Sequence, residues 1–323
     1  MIIKKDKISL IIPCYNEEES IPLFYEETNK VSKKMKNVEF EMIFVNDGSK
    51  DKTLELLREL SKKDKRVRYI SFSRNFGKEA GMYAGLEAVT GDYAAIMDAD
   101  MQDPPEKLIE MYDIIQKEEY DCVALYTESH EGYNFIRRAL TNLWYKLIDK
   151  ISDSKQVAGA RDFRLMTRQM VDAILEMKEY NRYTKGMFGF VGFETKWLAY
   201  NAPDRAAGTS KFNLRKLVKY AMEGVMAFST TPLLLSAYVG MLFCIIAFFA
   251  IIFIIIKTII WGDPTTGWPS MVCIIIFVSG IQLFFLGIIG MYLSKIYLEI
   301  KHRPVYIIKE TEKKNRRIYD QRI

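Results

Sequence analysis

The chain has 323 residues, of which 49% are hydrophobic and 27% charged, a length that fits one large domain or two smaller ones. Its formal net charge of +5 is modest, and the basic residues gather beside two long apolar segments near the C-terminus. This distribution argues against a nucleic-acid partner and favours a membrane surface.

The cysteines and histidines provide no obvious metal or disulfide framework. The four cysteines have no CxxC spacing, and Cys244 and Cys273 lie in the apolar segments, which argues against disulfides or a zinc site. The only two histidines, His130 and His302, are far apart and have no ligand-like neighbours. The first apolar run has about five residues, whereas a signal peptide needs roughly 7 to 15. We therefore expect the N-terminal domain to stay in the cytosol.

Short apolar runs alternate with helical patterns in the first part of the chain. The predicted strands are 8–13, 40–45, 67–72, 93–98 and 121–126, and the predicted helices between them are 20–35, 51–62, 78–89 and 105–116. This alternation predicts an α/β fold with right-handed crossovers, in which a parallel sheet is covered on both faces. Ligands of such sheets bind beyond the carboxyl ends of the strands, so the loops there hold the candidate site.

The next section, about 127–220, begins with an amphipathic helix at 134–151 and continues in polar and glycine-bearing loops. The apolar face of that helix could pack on the core, lie on a membrane or contact another subunit, so a homo-oligomer is left open. A second amphipathic pattern at 213–228 is typical of a helix lying in the membrane interface, although an ordinary surface helix would show the same pattern.

Two apolar segments, 233–256 and 271–293, contain no formal charge. Each exceeds the roughly 20 residues needed to cross a bilayer, so two transmembrane helices are predicted. Basic residues precede the first segment and follow the second, which places both large ends in the cytoplasm. The predicted division is a globular domain at 1–212, a juxtamembrane helix at 213–229, the two spans at 230–296 and a basic tail at 297–323.

The stretch IMDADMQDPPE, 96–106, puts several acids directly after a predicted strand. Alternate residues of an extended segment point to one side, so Asp98 and Asp100 can converge on one centre. Hard oxygen ligands of this kind suit Mg²⁺ or Mn²⁺, with Gln102 and Asp103 as further contacts. Alone, the pattern also fits a capped turn, in which Asp103 caps the helix that the prolines begin.

Polar residues follow the other predicted strands as well. PCYNEEES places Pro13, Tyr15 and Glu17 where they could frame a planar base, and VNDGSKDKT places Asp47 where it could accept from a base NH. Both stretches are equally good turns or helix caps. SRNFGKEAG, which carries Arg74, Asn75 and Lys78, lacks the Walker pattern and is predicted to border the same pocket.

Seven motifs in order resemble the polyprenyl-phosphate glycosyltransferases, relatives of dolichol-phosphate mannose synthase, over about residues 7–215. The resemblance implies an inverting nucleotide-sugar transferase of the GT-A fold, and the two apolar segments resemble the bactoprenol glucosyltransferase branch. The motifs are IIPCYNEEESIP, VNDGSKDKT, SRNFGKEAGMYAGLEAVTGDY, MDADMQDPPE, GARDFRLM, NRYTKGMFGFVGF and RAAGTSKF.

The resemblance also implies roles for individual residues. It implies phosphate contacts from Arg205 and Lys211, although a basic loop near the membrane would contain the same residues. Asp162 could orient the acceptor or the sugar, take a residual proton, or form a salt bridge with Arg161 or Arg164. The implied nucleotide contacts are Pro13, Tyr15, Glu17 and Asp47, and the implied contacts to the metal and diphosphate are Asp98, Asp100 and Gln102.

The expected activity is transfer of one hexose from a nucleotide sugar to undecaprenyl phosphate at the cytoplasmic face of the plasma membrane. The product would be a lipid-linked sugar for glycosylation of the cell envelope. UDP-glucose is the expected donor because of the branch resemblance, with UDP-N-acetylglucosamine or another sugar as the alternative. A non-catalytic membrane scaffold of the same fold is the competing hypothesis from a different class.

Overall fold

The computed structural model describes residues 5–127, 157, 159–200, 229–261 and 267–313. The first 127 residues contain the alternating elements that the sequence predicts, with bounds that differ by only a few residues. They are β1 (Asp6–Cys14), α1 (Ser20–Lys34), β2 (Val38–Asn46), α2 (Thr53–Lys63), β3 (Val67–Phe72), α3 (Lys78–Glu87), β4 (Tyr93–Ile96), α4 (Lys107–Lys117) and β5 (Cys122–Thr127).

The section expected to hold only loops after its first helix contains further regular structure. Within it lie β6 (Ala160–Thr167), α5 (Arg168–Glu176), α6 (Thr184–Phe190) and β7 (Thr195–Tyr200). The expectation of loops is therefore wrong for these residues. The stretch ARDFRLMT contains three charged residues, so its apolar pattern does not indicate a strand, although Phe163 and Leu165 are fully buried in one. The predicted helix at 134–151 lies outside the described residues, and self-association stays a prediction.

The strands form one eight-stranded sheet in the order β7, β5, β6, β4, β1, β2, β3 and β8, the last of which is Ile308–Thr311. The central pairs β4 to β1, β1 to β2 and β2 to β3 are parallel, as is β5 to β7. By contrast, β6 runs antiparallel to both of its neighbours and β8 antiparallel to β3. The expected α/β class is confirmed, with a mixed sheet whose centre is parallel.

Apolar side chains cover both faces of this sheet. Ile8, Leu10 and Ile12 alternate along β1 toward one core layer, which includes residues of α1, α2 and α4. Ile11 points to the opposite layer, which includes residues of α3 and α5. Because both faces are covered, the loops at the strand ends are where polar side chains can meet a ligand.

Two long helices follow, α7 (Thr231–Trp261) and α8 (Trp268–Ile300). Two segments of these helices, Thr231–Ala250 and Phe277–Ile300, have mean hydropathies of 2.5 and 1.8, and neither is buried inside the protein. Both helices are long and apolar enough to cross a membrane. The predicted juxtamembrane helix at 213–228 lies outside the described residues.

After α8 the chain returns to the catalytic sheet. Strand β8 pairs with β3, and Arg58 donates two hydrogen bonds of 2.7 Å to the carboxylate of Glu310. Arg68 donates to Glu312 at 3.1 Å. Within the predicted basic tail, 297–300 is helix and 308–311 is strand, and the predicted division of the chain stays a prediction. The short sequence IKET carries no alternation that would have predicted a strand.

Candidate active site

The parallel pairing of the central strands brings three polar loops to one edge of the sheet. Cys14 at the end of β1 is opposite Asn46 at the end of β2, and Ile96 at the end of β4 is opposite Ile11. The residues that follow these strands, among them Glu17, Asp47 and Asp98, therefore share the carboxyl edge, as the sequence predicts.

The loop after β1 is tied to the loop after β2. Asn16 has a φ of 55°, a left-handed conformation that asparagine tolerates well. Its backbone N–H donates to Ser49 Oγ at 2.9 Å, and its side-chain Oδ1 accepts from the Lys50 N–H at 2.9 Å. These bonds leave the Tyr15 side chain 38% exposed above the sheet edge. The predicted contacts of Pro13, Tyr15 and Glu17 with a nucleotide stay predictions.

Asp47 anchors a neighbouring loop. Its carboxylate, in a residue only 3% exposed, accepts hydrogen bonds from the backbone N–H groups of Phe76 at 2.6 Å and Gly77 at 2.9 Å. Burial raises the pKa of this carboxyl group, while the two N–H groups oppose that effect. Asp47 therefore fixes the loop 73–77 that begins α3, and contact with a base remains a prediction.

The loop after β4 has a strained backbone. Met101 has a φ of 61°, which is uncommon for a residue other than glycine and is concentrated at functional sites. Asp100 Oδ1 accepts from the Gln102 N–H at 3.1 Å. Burial raises the pKa of Glu17, and the negative charges of Asp100 and Asp98 raise it further. Glu17 and the two aspartates thus lie within electrostatic reach of one another.

Lys78 joins the two predicted acidic positions. Its Nζ lies 2.6 Å from Asp98 Oδ1 and 2.5 Å from Asp162 Oδ2. Burial favours the neutral amine, but the two carboxylates outweigh that effect and raise the pKa of Lys78. The first residue of α3 therefore connects the end of β4 with β6 across 84 residues of sequence.

Asp162 has two cationic neighbours, Lys78 and, at 3.9 Å, Lys185 of α6. Burial would raise the pKa of Asp162, but these cations hold it well below its usual range. The alternative of a salt bridge to Arg161 or Arg164 is wrong. Arg161 instead pairs with Asp103 at 3.0 Å, and the guanidinium of Arg164 stacks 3.5 Å from the ring centre of Phe188.

Asp103 is fully buried and does not cap the following helix. Its carboxylate accepts from Arg161 Nε at 3.0 Å and from the hydroxyl of Tyr200. Burial raises its pKa, which the charge of Arg161 opposes. Gln102 also reaches this group, since its Oε1 lies 3.4 Å from an Arg161 nitrogen. Asp103 ties the loop after β4 to β6 and β7, a contact that sequence spacing does not predict.

The donors at this edge fit a divalent cation. Across the described residues, no group of three His, Cys, Asp or Glu side chains could hold a metal ion. Asp98 and Asp100 supply hard oxygens, Gln102 an amide, and a lysine ammonium already neutralises Asp98 at 2.6 Å. Mg²⁺ commonly binds through one or two carboxylates, with water and substrate phosphate completing its coordination. Two aspartates at a partly exposed sheet edge suit that mode.

The model of the family described as "Glycosyl transferase family 2" matches residues 9–175, a range that contains Glu17, Lys78, Asp98, Asp100 and Asp162. The chain belongs to glycosyl transferase family 2. A GT-A-like α/β fold with a mainly parallel sheet is therefore the fold of this family 2 chain.

Curated relatives match this family 2 chain over nearly its full length. "Putative glycosyltransferase CsbB" of Bacillus subtilis is 40% identical over 97% of this chain and 94% of its own. "Bactoprenol glucosyl transferase" of Shigella phage SfV is 40% identical over 95% of this chain and 100% of its own. The Escherichia coli K12 "Prophage bactoprenol glucosyl transferase homolog" is likewise 40% identical, over 95% and 100%. The similarity thus includes the two apolar helices as well as the sheet.

A more distant match is a solved structure of glucosyl-3-phosphoglycerate synthase from Mycobacterium tuberculosis, in complex with Mn²⁺, uridine-diphosphate and glucosyl-3-phosphoglycerate. It matches 68% of this chain and 78% of its own at 17% identity, with a TM-score of 0.44. We transfer no residue role from so distant a match.

The described part of the family 2 chain brings together the predicted residues Glu17, Lys78, Asp98, Asp100 and Asp162. Arg205 and Lys211 lie outside the described residues, and their phosphate contacts stay predictions. The individual roles of the other residues also stay predictions.

Two polar residues next to this group are not predicted as site residues. Lys185 lies 3.9 Å from Asp162, and Glu79 accepts hydrogen bonds from both the backbone N–H, at 3.0 Å, and the hydroxyl of Thr184. Lys185 belongs to the motif NRYTKGMFGFVGF and Glu79 to SRNFGKEAGMYAGLEAVTGDY, and these motifs are the signals that could have indicated them.

Proposed function

We propose that this family 2 chain transfers one glucose from UDP-glucose to undecaprenyl phosphate, with inversion, at the cytoplasmic face of the plasma membrane. The observation that carries the proposal is 40% identity, over nearly the full length of both chains, to proteins named bactoprenol glucosyl transferase. The meeting of Lys78, Asp98 and Asp162 at the carboxyl edge of the sheet supports it. The product would serve as a lipid-linked sugar for glycosylation of the cell envelope.

Asp98, Asp100 and Gln102 would hold the divalent cation, either Mg²⁺ or Mn²⁺. When bound, such a cation neutralises the negative charge that develops on a departing diphosphate. Lys78, which neutralises Asp98 in the structure at 2.6 Å, would then be free to contact the diphosphate or the acceptor. The strained loop at Met101 holds the two aspartates in place for this exchange.

The attacking group would be a phosphate oxygen of the lipid. Its lone pair forms the bond to the anomeric carbon, while the bond from that carbon to the diphosphate breaks and its electron pair leaves with UDP. A phosphate monoester has a second pKa near ~6 and is already an anion at neutral pH, so the reaction needs no strong general base. Asp162, whose pKa is lowered by Lys78 and Lys185, is then better suited to orient these two lysines than to take a proton.

The apolar helices fit a lipid acceptor. If α7 and α8 cross the bilayer, the basic residues before and after them place the sheet on the cytoplasmic side. Arg205 and Lys211, which precede α7 in sequence, would contact phosphate of the donor or of the lipid, as the family resemblance implies.

A panel of donors tests the proposed reaction. The purified full chain would be incubated with Mn²⁺ or Mg²⁺, a polyprenyl phosphate and labelled UDP-glucose, UDP-N-acetylglucosamine or other nucleotide sugars. We expect labelled glycolipid with UDP-glucose and little with the others. A clear preference for another donor would reassign the sugar, and no glycolipid with any donor would contradict the enzyme and favour a scaffold.

The variant Asp100→Ala tests the cation site. We expect the transfer rate to fall by about a thousandfold, the size of effect seen when a group that stabilises charge in the transition state is removed. Asp113→Ala is the matched control, because Asp113 is an exposed aspartate of α4 that pairs only with Lys117, at 3.7 Å. Both variants should keep the melting temperature of the unaltered protein, and an unchanged rate in Asp100→Ala would remove Asp100 from the site.

A further inference from the structure

A cavity of about 340 Å³ lies where the catalytic sheet meets the second apolar helix. Its walls come from the start of α3 and the loop before it, from the loop 180–183, from the last part of α8 and from the segment that follows α8. None of the acids at the carboxyl edge lines it. The cavity is therefore a separate feature from the cation site.

The end of α8 is attached to the wall of this cavity. The carboxylate of Glu299 accepts hydrogen bonds from the backbone N–H groups of Tyr180 at 2.9 Å and Asn181 at 3.3 Å. Lys295, one turn earlier on the same helix, lines the cavity. Because the uncharged apolar segment of α8 ends at Leu293, a spanning α8 would place this cavity at the depth of the lipid headgroups.

Positive charge dominates the lining. Arg74, Arg182 and Lys295 are the cations, and Glu79 is the one acid among the lining residues described. Glu79 is already engaged by Thr184. Lys295 has no acidic side chain within salt-bridge distance among the described residues. A bound anion would therefore be attracted by the ammonium of Lys295, which no described acid neutralises.

Arg182 carries the strongest argument for a ligand. The residue is 9% exposed, and its guanidinium lies 4.0 Å from the ring centre of Tyr83. Two of its nitrogens donate to the backbone carbonyls of Met177 and Ile174, whereas the buried Nε has no partner within the described chain, and the same is true of Asn181 Nδ2. Buried donors left unpaired are costly, and a phosphate would satisfy them.

The cavity is also close to the acids of the active site. Glu79 in its wall directly follows Lys78, whose ammonium contacts Asp162 at 2.5 Å. Thr184, which binds Glu79, directly precedes Lys185, 3.9 Å from Asp162. The cavity and the acid cluster thus share neighbouring residues at the starts of α3 and α6. Phe76, Tyr180 and Val305 add apolar lining beside the charges.

We propose that this cavity binds the phosphate of the isoprenoid acceptor before transfer, with Arg182, Lys295 and Arg74 as its cationic contacts. The proposal rests on the proposed function, since it takes a lipid phosphate as the acceptor. A headgroup of a bulk anionic phospholipid offers similar chemistry, and the experiment separates the two sources.

Binding of farnesyl phosphate to the full chain in detergent micelles, measured by titration calorimetry without donor, tests the site. Lys295→Gln should raise the Kd by about tenfold, since it removes one charge-assisted contact, whereas Lys295→Arg should restore most of the affinity. Arg303→Gln is the matched control, because Arg303 is an exposed cation just after the same helix. An unchanged Kd in Lys295→Gln would overturn the proposal.

A competition arm identifies the source of the phosphate. Micelles doped with phosphatidylglycerol should displace farnesyl phosphate no better than micelles doped with phosphatidylcholine. Equal displacement by phosphatidylglycerol and by unlabelled farnesyl phosphate would make this a site for bulk anionic lipid and overturn the acceptor assignment.

Because binding needs no turnover, the two proposals can fail separately. A chain that makes no glycolipid but binds farnesyl phosphate through Lys295 would contradict the function and keep the site. A chain that makes glycolipid, and whose KM for polyprenyl phosphate is the same in Lys295→Gln, would contradict the site alone.

Discussion

The two ends of the central strands each gather acidic side chains, and the two groups differ in how they are satisfied. At the amino end, Glu41 is 4% exposed and accepts from Ser9 Oγ at 2.5 Å and from the N–H and hydroxyl of Thr90, both at 2.8 Å. Lys7 and Arg68 also reach it, at 3.1 and 3.2 Å. At the carboxyl end, Asp98 is 27% exposed at its side chain and has one lysine as its salt-bridge partner among the described residues.

This difference indicates that the network around Glu41 is structural, whereas the acids at the carboxyl edge are able to accept a ligand. Around Glu41, burial would raise the pKa, but the hydrogen bonds from Ser9 and Thr90 outweigh it and lower the pKa to about 2. Every strong acceptor position there is used, so no room is left for a substrate. At the carboxyl edge, Asp98 and Asp162 share the ammonium of Lys78, and Asp98 has fewer partners than Glu41 among the described residues.

The largest expected effect comes from disrupting the network of hydrogen bonds and salt bridges around Glu41. Glu41→Gln keeps the shape of the side chain but removes the charge that Lys7 and Arg68 face. We expect a loss of unfolding free energy on the order of 2 kcal/mol and a melting temperature lower by roughly 5 °C, with an unchanged rate of transfer. Glu39→Gln, an exposed glutamate of the same strand, should change neither. Equal shifts in the two variants would show that the network does not stabilise the fold.

Acid pH should remove the same contribution without mutation. Because folding lowers the pKa of Glu41 from its ordinary value of 4.5 to about 2, its stabilisation is fully present above pH 4.5 and is lost as pH falls toward 2. The difference in melting temperature between the unaltered protein and Glu41→Gln should therefore shrink over this range. A difference that stays constant between these pH values would contradict the lowered pKa.

A smaller effect is expected from removing the lysine that pairs with the acids at the carboxyl edge. Lys78→Met removes the ammonium that occupies Asp98 and Asp162, so a divalent cation would no longer compete with it. We expect the Kd for Mn²⁺, measured by electron paramagnetic resonance of the free ion, to fall by about tenfold.

The control for this variant is Lys107→Met, which removes a partly exposed lysine that pairs with Glu110 at 2.7 Å and should leave the Kd unchanged. Equal or weaker Mn²⁺ binding in Lys78→Met would mean that the lysine does not compete for the site.

Sequence predicts the fold well where the spacing of apolar residues within each strand or helix identifies that element. Apolar runs such as 67–72 are buried on both faces of the sheet and are bounded by helices with a single apolar face, so neighbouring residues suffice to identify them. The acids at 98 and 100 follow such a strand directly, which is why their position at the carboxyl edge is predictable.

What sequence does not predict depends on distant partners. Strand β8 exists because its backbone pairs with β3, and because Glu310 meets Arg58, 252 residues away. In the same way, Lys78 is identifiable as a loop residue, but its bridge to Asp162 depends on the antiparallel insertion of β6 beside β4. The sequence predicts Asp103 as a helix cap, whereas in the fold its carboxylate accepts hydrogen bonds from Arg161 and Tyr200. Spacing along the chain contains none of these contacts.

The return of the chain through β8 makes the apolar helices an insertion within the catalytic domain. A truncation after β7 would remove the edge strand, expose the backbone of β3 and leave Arg58 without its carboxylate. The sheet domain is therefore incomplete without the segment that follows the apolar helices. Strand β7 precedes the two apolar helices in the chain and β8 follows them, so the chain links both ends of the helical pair to strands of one sheet.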